Sequence, residues 1–132
     1  MTEICVLGDS IAKGIVFDDF KQKYSILNEN FVSLLQSEFD TKIKNFASFG
    51  ATIKKGLKIL DQRYSIIQSY KYTLIEFGGN DCNHDWNEIS VTPNSQHPAQ
   101  TPLSEFKEYY ENIIEKTMFA GSRPILLTLP PL

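Results

Sequence analysis

The sequence predicts an α/β domain in three layers, a parallel sheet between two sets of helices. Three observations carry this. Four short apolar runs, Ile4–Leu7, Ile43–Phe46, Thr73–Phe77 and Pro124–Leu129, alternate with helical patterns along the chain. The runs read as continuous rather than alternating, which fits strands buried on both faces of a parallel sheet. The resulting βαβαβαβ order is the signature of right-handed crossovers that lay helices on both faces.

Each element has its own reason. The first run ends abruptly in Gly8-Asp9-Ser10. Between the first two runs, Leu27, Phe31, Leu34 and Leu35 recur at i, i+4, i+7 and i+8, an amphipathic helix with Glu29, Ser33, Gln36 and Ser37 on its other faces. Thr52 is placed to cap a second helix with Ile53, Leu57 and Leu60 in one stripe, although its interior Gly56 costs about 1 kcal/mol relative to alanine. A third helix is predicted with Thr101 as cap and Pro102 at the first helical position. Leu103, Phe106, Tyr110, Ile113, Ile114 and Thr117 form its stripe, and Gly121 stops it. The polar segment from Cys82 to Gln100 carries Pro93 and Pro98 without any period, and a connection of that length is usually functional or disordered.

Composition narrows the function. The 132 residues form one domain, 1–132, with 42% apolar and 22% charged residues and a net charge of −3. Nothing there favours a polyanion, so no nucleic-acid partner is expected. Lys54, Lys55 and Lys58 read as the solvated face of a helix. No apolar run is long enough to span a bilayer, and the start lacks a secretory pattern. Cys5 and Cys82 are too few for a disulfide framework, so a cytoplasmic location is expected.

The chemistry gathers at strand ends. Gly8-Asp9-Ser10, Ala47-Ser48-Phe49-Gly50 and Gly78-Gly79-Asn80-Asp81 follow the first three strands, and in a parallel sheet these turns share one edge. Ser10 is a candidate nucleophile. The backbone N–H groups of Ser10 and Gly50 and the Asn80 amide could receive a developing oxyanion. Gly50 suits that place because a missing side chain lets backbone come close to a ligand.

Gly8-Asp9-Ser10, the later Gly50 and Gly78-Gly79-Asn80-Asp81 resemble three of the four motif blocks of the SGNH (GDSL-type) esterases and acylhydrolases. The resemblance implies a flavodoxin-like fold with a five-stranded parallel sheet. It also implies Ser10 as nucleophile and Ser10 N–H, Gly50 N–H and the Asn80 amide as the oxyanion hole. The substrate it implies is a small-molecule ester, with no cofactor and no metal. The fourth block, a late Asp-x-x-His carrying the general base, does not occur in these 132 residues. The chain is therefore expected to be the N-terminal part of a longer protein, lacking the last strand and helix. The alternative is a non-catalytic binding domain of the same fold.

Other candidates take secondary places. His84 could lie near Ser10, but it and His97 read as solvated loop histidines. Cys82, His84 and Asp85 fit no common zinc spacing. Asp9 lacks the second aspartate of aspartate-type phosphatases (Ile11 stands there), so it is expected to stiffen its turn at the edge of the substrate site. Asp81 is placed beside the substrate as the group that orients its neighbours. Trp86 could line an acyl pocket or belong to the core. A fourth strand left at the sheet edge, Ile125 to Leu129, is expected to promote self-association.

Overall fold

A computed structural model describes residues 1–129. It opens with β1 (Thr2–Gly8), turns through the short α1 (Ser10–Lys13) and forms an antiparallel hairpin of β2 (Ile15–Asp18) and β3 (Lys23–Ile26). Next come α2 (Phe31–Glu38), β4 (Thr41–Asn45), α3 (Ile53–Gln62), α4 (Tyr64–Ile67) and β5 (Tyr72–Glu76). The chain continues through α5 (Trp86–Val91), α6 (Leu103–Phe119) and β6 (Arg123–Leu126).

The four predicted strands form one parallel sheet in the order β4-β1-β5-β6, with Ile4 level with Ile43 and Tyr72, and Tyr72 level with Arg123. From β1 the chain first moves outward to β4 and then returns past β1 to β5. The order therefore reverses between β1 and β5, and in open α/β sheets that reversal opens a crevice at the carboxyl ends of the strands.

Side chains alternate across the sheet. Cys5, Leu7 and Ile75 pack with Ile53 and Leu60 of α3, Ile67 of α4 and Ile113 of α6 on one face. On the other, Val6 packs with Ala12 of α1 and Val32 of α2, with Ile4, Ile43 and Leu74 at the margin. Buried strand residues occur only in the two central strands, from Cys5 to Gly8 in β1 and at Thr73, Ile75 and Glu76 in β5. The flanking β4 shows Lys42 and Lys44 to solvent, and β6 exposes Ile125 and Leu126.

Several elements differ from expectation. The β2–β3 hairpin was not foreseen, and its turn is held by Asp18, whose Oδ1 accepts from Phe20 N and Lys21 N at 3.0 Å each. Helix α2 starts after Asn30, whose side chain accepts from Val32 N and Ser33 N. Leu27 therefore lies outside that helix, its N–H donating to Gly14 O at 2.8 Å. The second predicted helix is α3, and the short α4 follows it after Arg63. Gly56 within α3 has a packing reason, since a Cβ there would stand 2.4 Å from Cζ of Phe77. The polar connection holds α5, capped by Asp85, which accepts from Glu88 N. Thr101 does not cap α6, because its hydroxyl is turned to Asp81 at 2.6 Å.

Candidate active site

Three turns meet above the carboxyl ends of β1, β4 and β5. In the first, Asp9 is buried and its Oδ1 accepts from Ile11 N at 2.8 Å, capping α1. Ser10 is thus the first residue of α1, half-buried at the mouth of the sheet. Gly14 closes this single turn in the left-handed region at φ +79°, its N–H donating to Ile11 O.

The second turn is docked on the first by Ser48 N, which donates to Gly8 O at 3.0 Å. Gly50 adopts φ +68°, and a Cβ there would meet nothing within 4 Å. Backbone conformation, rather than crowding, is what calls for glycine at this position.

The third turn supplies the link between the other two. Asn80 Nδ2 donates to Ala51 O at 3.0 Å and reaches Asp9 Oδ2 at 3.5 Å. A side-chain amide has two N–H donors. The contact to Asp9 is at the outer limit for a hydrogen bond, so that donor is the one a better acceptor could recruit.

Asp81 is engaged by the starts of α3 and α6. Its buried carboxylate accepts from Ile53 N at 3.0 and 3.1 Å and from Thr101 Oγ1 at 2.6 Å, while Thr101 N donates to the Asp81 carbonyl. The cap that Thr52 does not provide to α3 is thus supplied by Asp81 from the third turn. Asp81 also borders an apolar cleft of about 210 Å³, together with Gly78, Cys82, Thr101, Phe106 and Leu129. Trp86 does not line this cleft. It is 65% exposed on α5, donating from Nε1 to Asn83 Oδ1 with its ring edge-on to His84.

Both histidines bond to carbonyls of their own connection. His84 Nδ1 lies 3.1 Å from Pro98 O, and His97 Nε2 lies 2.7 Å from Thr92 O. A carbonyl oxygen only accepts, so His84 carries its proton on Nδ1 and His97 on Nε2. Among the described residues neither histidine hydrogen-bonds Ser10, and no group of three or more His, Cys, Asp or Glu could hold a metal ion. Burial pushes the Cys5 thiol up to about 12, which leaves it an inert core residue, whereas Cys82 is exposed.

One functional candidate escaped the sequence analysis. Glu76, the last residue of β5, is 4% exposed and lies level with Gly8, its Oε2 accepting from Asp9 N at 3.3 Å. Burial first, then the side-chain hydrogen bond and the charge of Asp9, raise its carboxyl to about 7. The one available signal was a glutamate inside the otherwise apolar run Thr73–Phe77, two residues before the Gly78–Asp81 turn.

Residues 4–131 match the family described as GDSL-like Lipase/Acylhydrolase. The structure is similar to the lipase/acylhydrolase from Enterococcus faecalis, with a TM-score of 0.70 and 22% identity over 99% of this chain and 58% of that one. It is similar to TesA, with a TM-score of 0.67 and 21% identity over 98% and 63% of the two chains. It is also similar to the psychrotrophic esterase EstA from Pseudoalteromonas sp., with a TM-score of 0.66 and 20% identity over 99% and 62%. At these identities the likeness establishes the fold. The chain spans 58% to 63% of the length of these three structures. No curated protein matched it.

Proposed function

The chain belongs to the family of GDSL-like lipases and acylhydrolases, and on that premise we propose that it carries the nucleophile and the oxyanion donors of a serine esterase. Ester hydrolysis is the activity of the family. The finer mechanism rests on one observation: a single Asn80 side chain spans the Ser10 turn and the Gly50 turn.

Ser10 Oγ attacks the ester carbonyl and forms a tetrahedral intermediate. Its oxyanion is received by Ser10 N–H, Gly50 N–H and the Asn80 amide. Expulsion of the alcohol, which takes up a proton, leaves the acyl group on Ser10, and water then releases the acid. Asp9 serves by capping α1 and fixing Ser10 at its first position. The apolar cleft beside Gly78 is proposed to seat the apolar part of the ester.

The proton acceptor is proposed to be a histidine from the part of the fold that the solved relatives have beyond the span matched here. Asp-x-x-His does not occur among these 132 residues. A second reading, a binding domain that holds esters without turnover, is favoured by the engagement of both histidines with carbonyls of their own connection.

The esterase EstA from Pseudoalteromonas sp. is described as inhibited by monoethylphosphonate, and a reactive phosphonate ester tests Ser10 in the same way. Mass spectrometry of the full-length protein is expected to show one phosphonyl group on Ser10, absent from Ser10→Ala. Labelling that persists in Ser10→Ala would refute the nucleophile assignment. Ligand binding without labelling or turnover would favour the second reading.

A further inference from the structure

We propose that Glu76 is a positioning residue for the nucleophile: its buried carboxyl braces Asp9 from beneath, and through Asp9 it holds both the Ser10 turn and the Asn80 amide. The catalytic consequence rests on the esterase reading above. The structural part stands without it.

The geometry begins with the register. Gly8 of β1 is level with Glu76 of β5, so the first turn departs directly beside the Glu76 side chain. A Cβ at Gly8 would stand 2.6 Å from Ala12 Cβ and 3.1 Å from Glu76 Oε2, so glycine lets both α1 and that carboxyl lie against the end of β1. Glu76 Oε2 accepts from Asp9 N, Asp9 Oδ1 accepts from Ile11 N, and Asp9 Oδ2 faces Asn80 Nδ2. One line of contacts therefore runs from Glu76 through Asp9 to the proposed oxyanion donor.

The charge balance of this line decides the state of Glu76. Both carboxyls are buried, and among the described residues neither takes part in an ion pair. Glu76 Oε1 has no hydrogen-bond partner among the described residues. Two adjacent buried negative charges without a cation are costly, and the ordinary resolution is for one carboxyl to keep a proton. The titratable groups that face Glu76 are Asp9, from the turn between β1 and α1, and Tyr110, from α6. The Ala12 backbone N–H of α1 completes its surroundings. A proton on Glu76 lets it donate toward the Asp9 carboxylate. Loss of that proton sets like charges against each other directly beneath Ser10.

Stability should follow the same proton. The carboxyl rises from an ordinary 4.5 to about 7 on folding, so the folded state binds the proton more tightly. The stabilisation is complete below about pH 4.5, is lost as pH rises to about 7, and changes no further above that.

The first test is site-specific NMR titration of the Glu76 carboxyl in the full-length protein. A midpoint near 7 is expected, and one in the ordinary carboxylate range overturns the proposal. The second compares Glu76→Gln, which keeps a neutral donor, with Glu76→Ala. Glu76→Gln should flatten the fall in melting temperature between pH 5 and 7. The wild type should lose kcat/KM for p-nitrophenyl butanoate as pH rises above about 7 and Glu76→Gln should not, whereas Glu76→Ala should lower kcat about tenfold at every pH. A flattened stability curve with an unchanged pH–rate profile overturns the positioning role. Absence of turnover in every variant, wild type included, would defeat the esterase reading, while the NMR midpoint and the stability curves still decide the state of Glu76.

Discussion

Replacing Asp81 with alanine should damage the fold more than any other single change at the third turn. The carboxylate accepts the Ile53 N–H with both oxygens and the Thr101 hydroxyl at 2.6 Å. Ile53 is fully buried at the start of α3, and Thr101 is 4% exposed ahead of α6, so water cannot readily replace the lost acceptor. A hydrogen bond to a charged acceptor contributes about 1.5–3 kcal/mol, and each buried group left unpaired costs about 1–3 kcal/mol. Together they give a loss of about 3–5 kcal/mol, against a total stability of roughly 5–15 kcal/mol for a domain. With a urea slope of about 1–3 kcal/mol/M, the unfolding midpoint should fall by about 2 M. Thr101→Val removes one bond and should cost less. Added to Asp81→Ala it should cost almost nothing more, because the orphaned hydroxyl has gone with it. A midpoint displaced by less than about 0.5 M at unchanged slope would refute the claim that Asp81 joins α3 to α6.

Three other outcomes are expected. Asn80→Ala should lower the esterase rate by about 10²–10³-fold, the scale of one oxyanion donor, and an unchanged rate removes Asn80 from the mechanism. Gly56→Ala would gain about 1 kcal/mol in helix propensity yet place a Cβ 2.4 Å from the Phe77 ring. Overpacking of that kind costs about 1–3 kcal/mol, so thermal unfolding should show no stabilisation, and a raised melting temperature would contradict the packing argument. The 132-residue chain should self-associate along β6, an edge strand with Ile125 and Leu126 exposed. Leu126→Lys should suppress this in light scattering, and a wild-type monomer at tens of micromolar would count against it.

How much of this was legible in the sequence differs from residue to residue. The strands were legible because a parallel sheet concentrates apolar residues in short runs, and the glycine-bearing turns marked their carboxyl ends. The hairpin was not, because Val16, Phe17, Tyr24 and Ile26 are all exposed and leave no core pattern. Thr101 resembled a cap, yet its hydroxyl goes to a residue 20 positions earlier, a long-range choice that local propensity does not encode. Ser10, Gly50 and Asn80 could be selected by residue type and placed on one edge by topology, while the span of Asn80 between two turns required coordinates. Glu76 was hidden because a carboxyl within an apolar run becomes informative only when its neighbour proves to be a second buried carboxyl.

The hairpin of β2 and β3 also bears on how this fold can change. None of its residues enters either core cluster. Its ties to the rest include the Leu27–Gly14 hydrogen bond at its base and the Tyr24 ring leaning on Phe49, centroids 5.4 Å apart. Phe49 immediately precedes Gly50, so an appendage outside the sheet forms the wall beside an expected oxyanion donor. Such an element can lengthen, shorten or exchange its sequence without disturbing the packing of the sheet. The surface beside the site is therefore modular, free to diversify at a rate set apart from that of the scaffold beneath it.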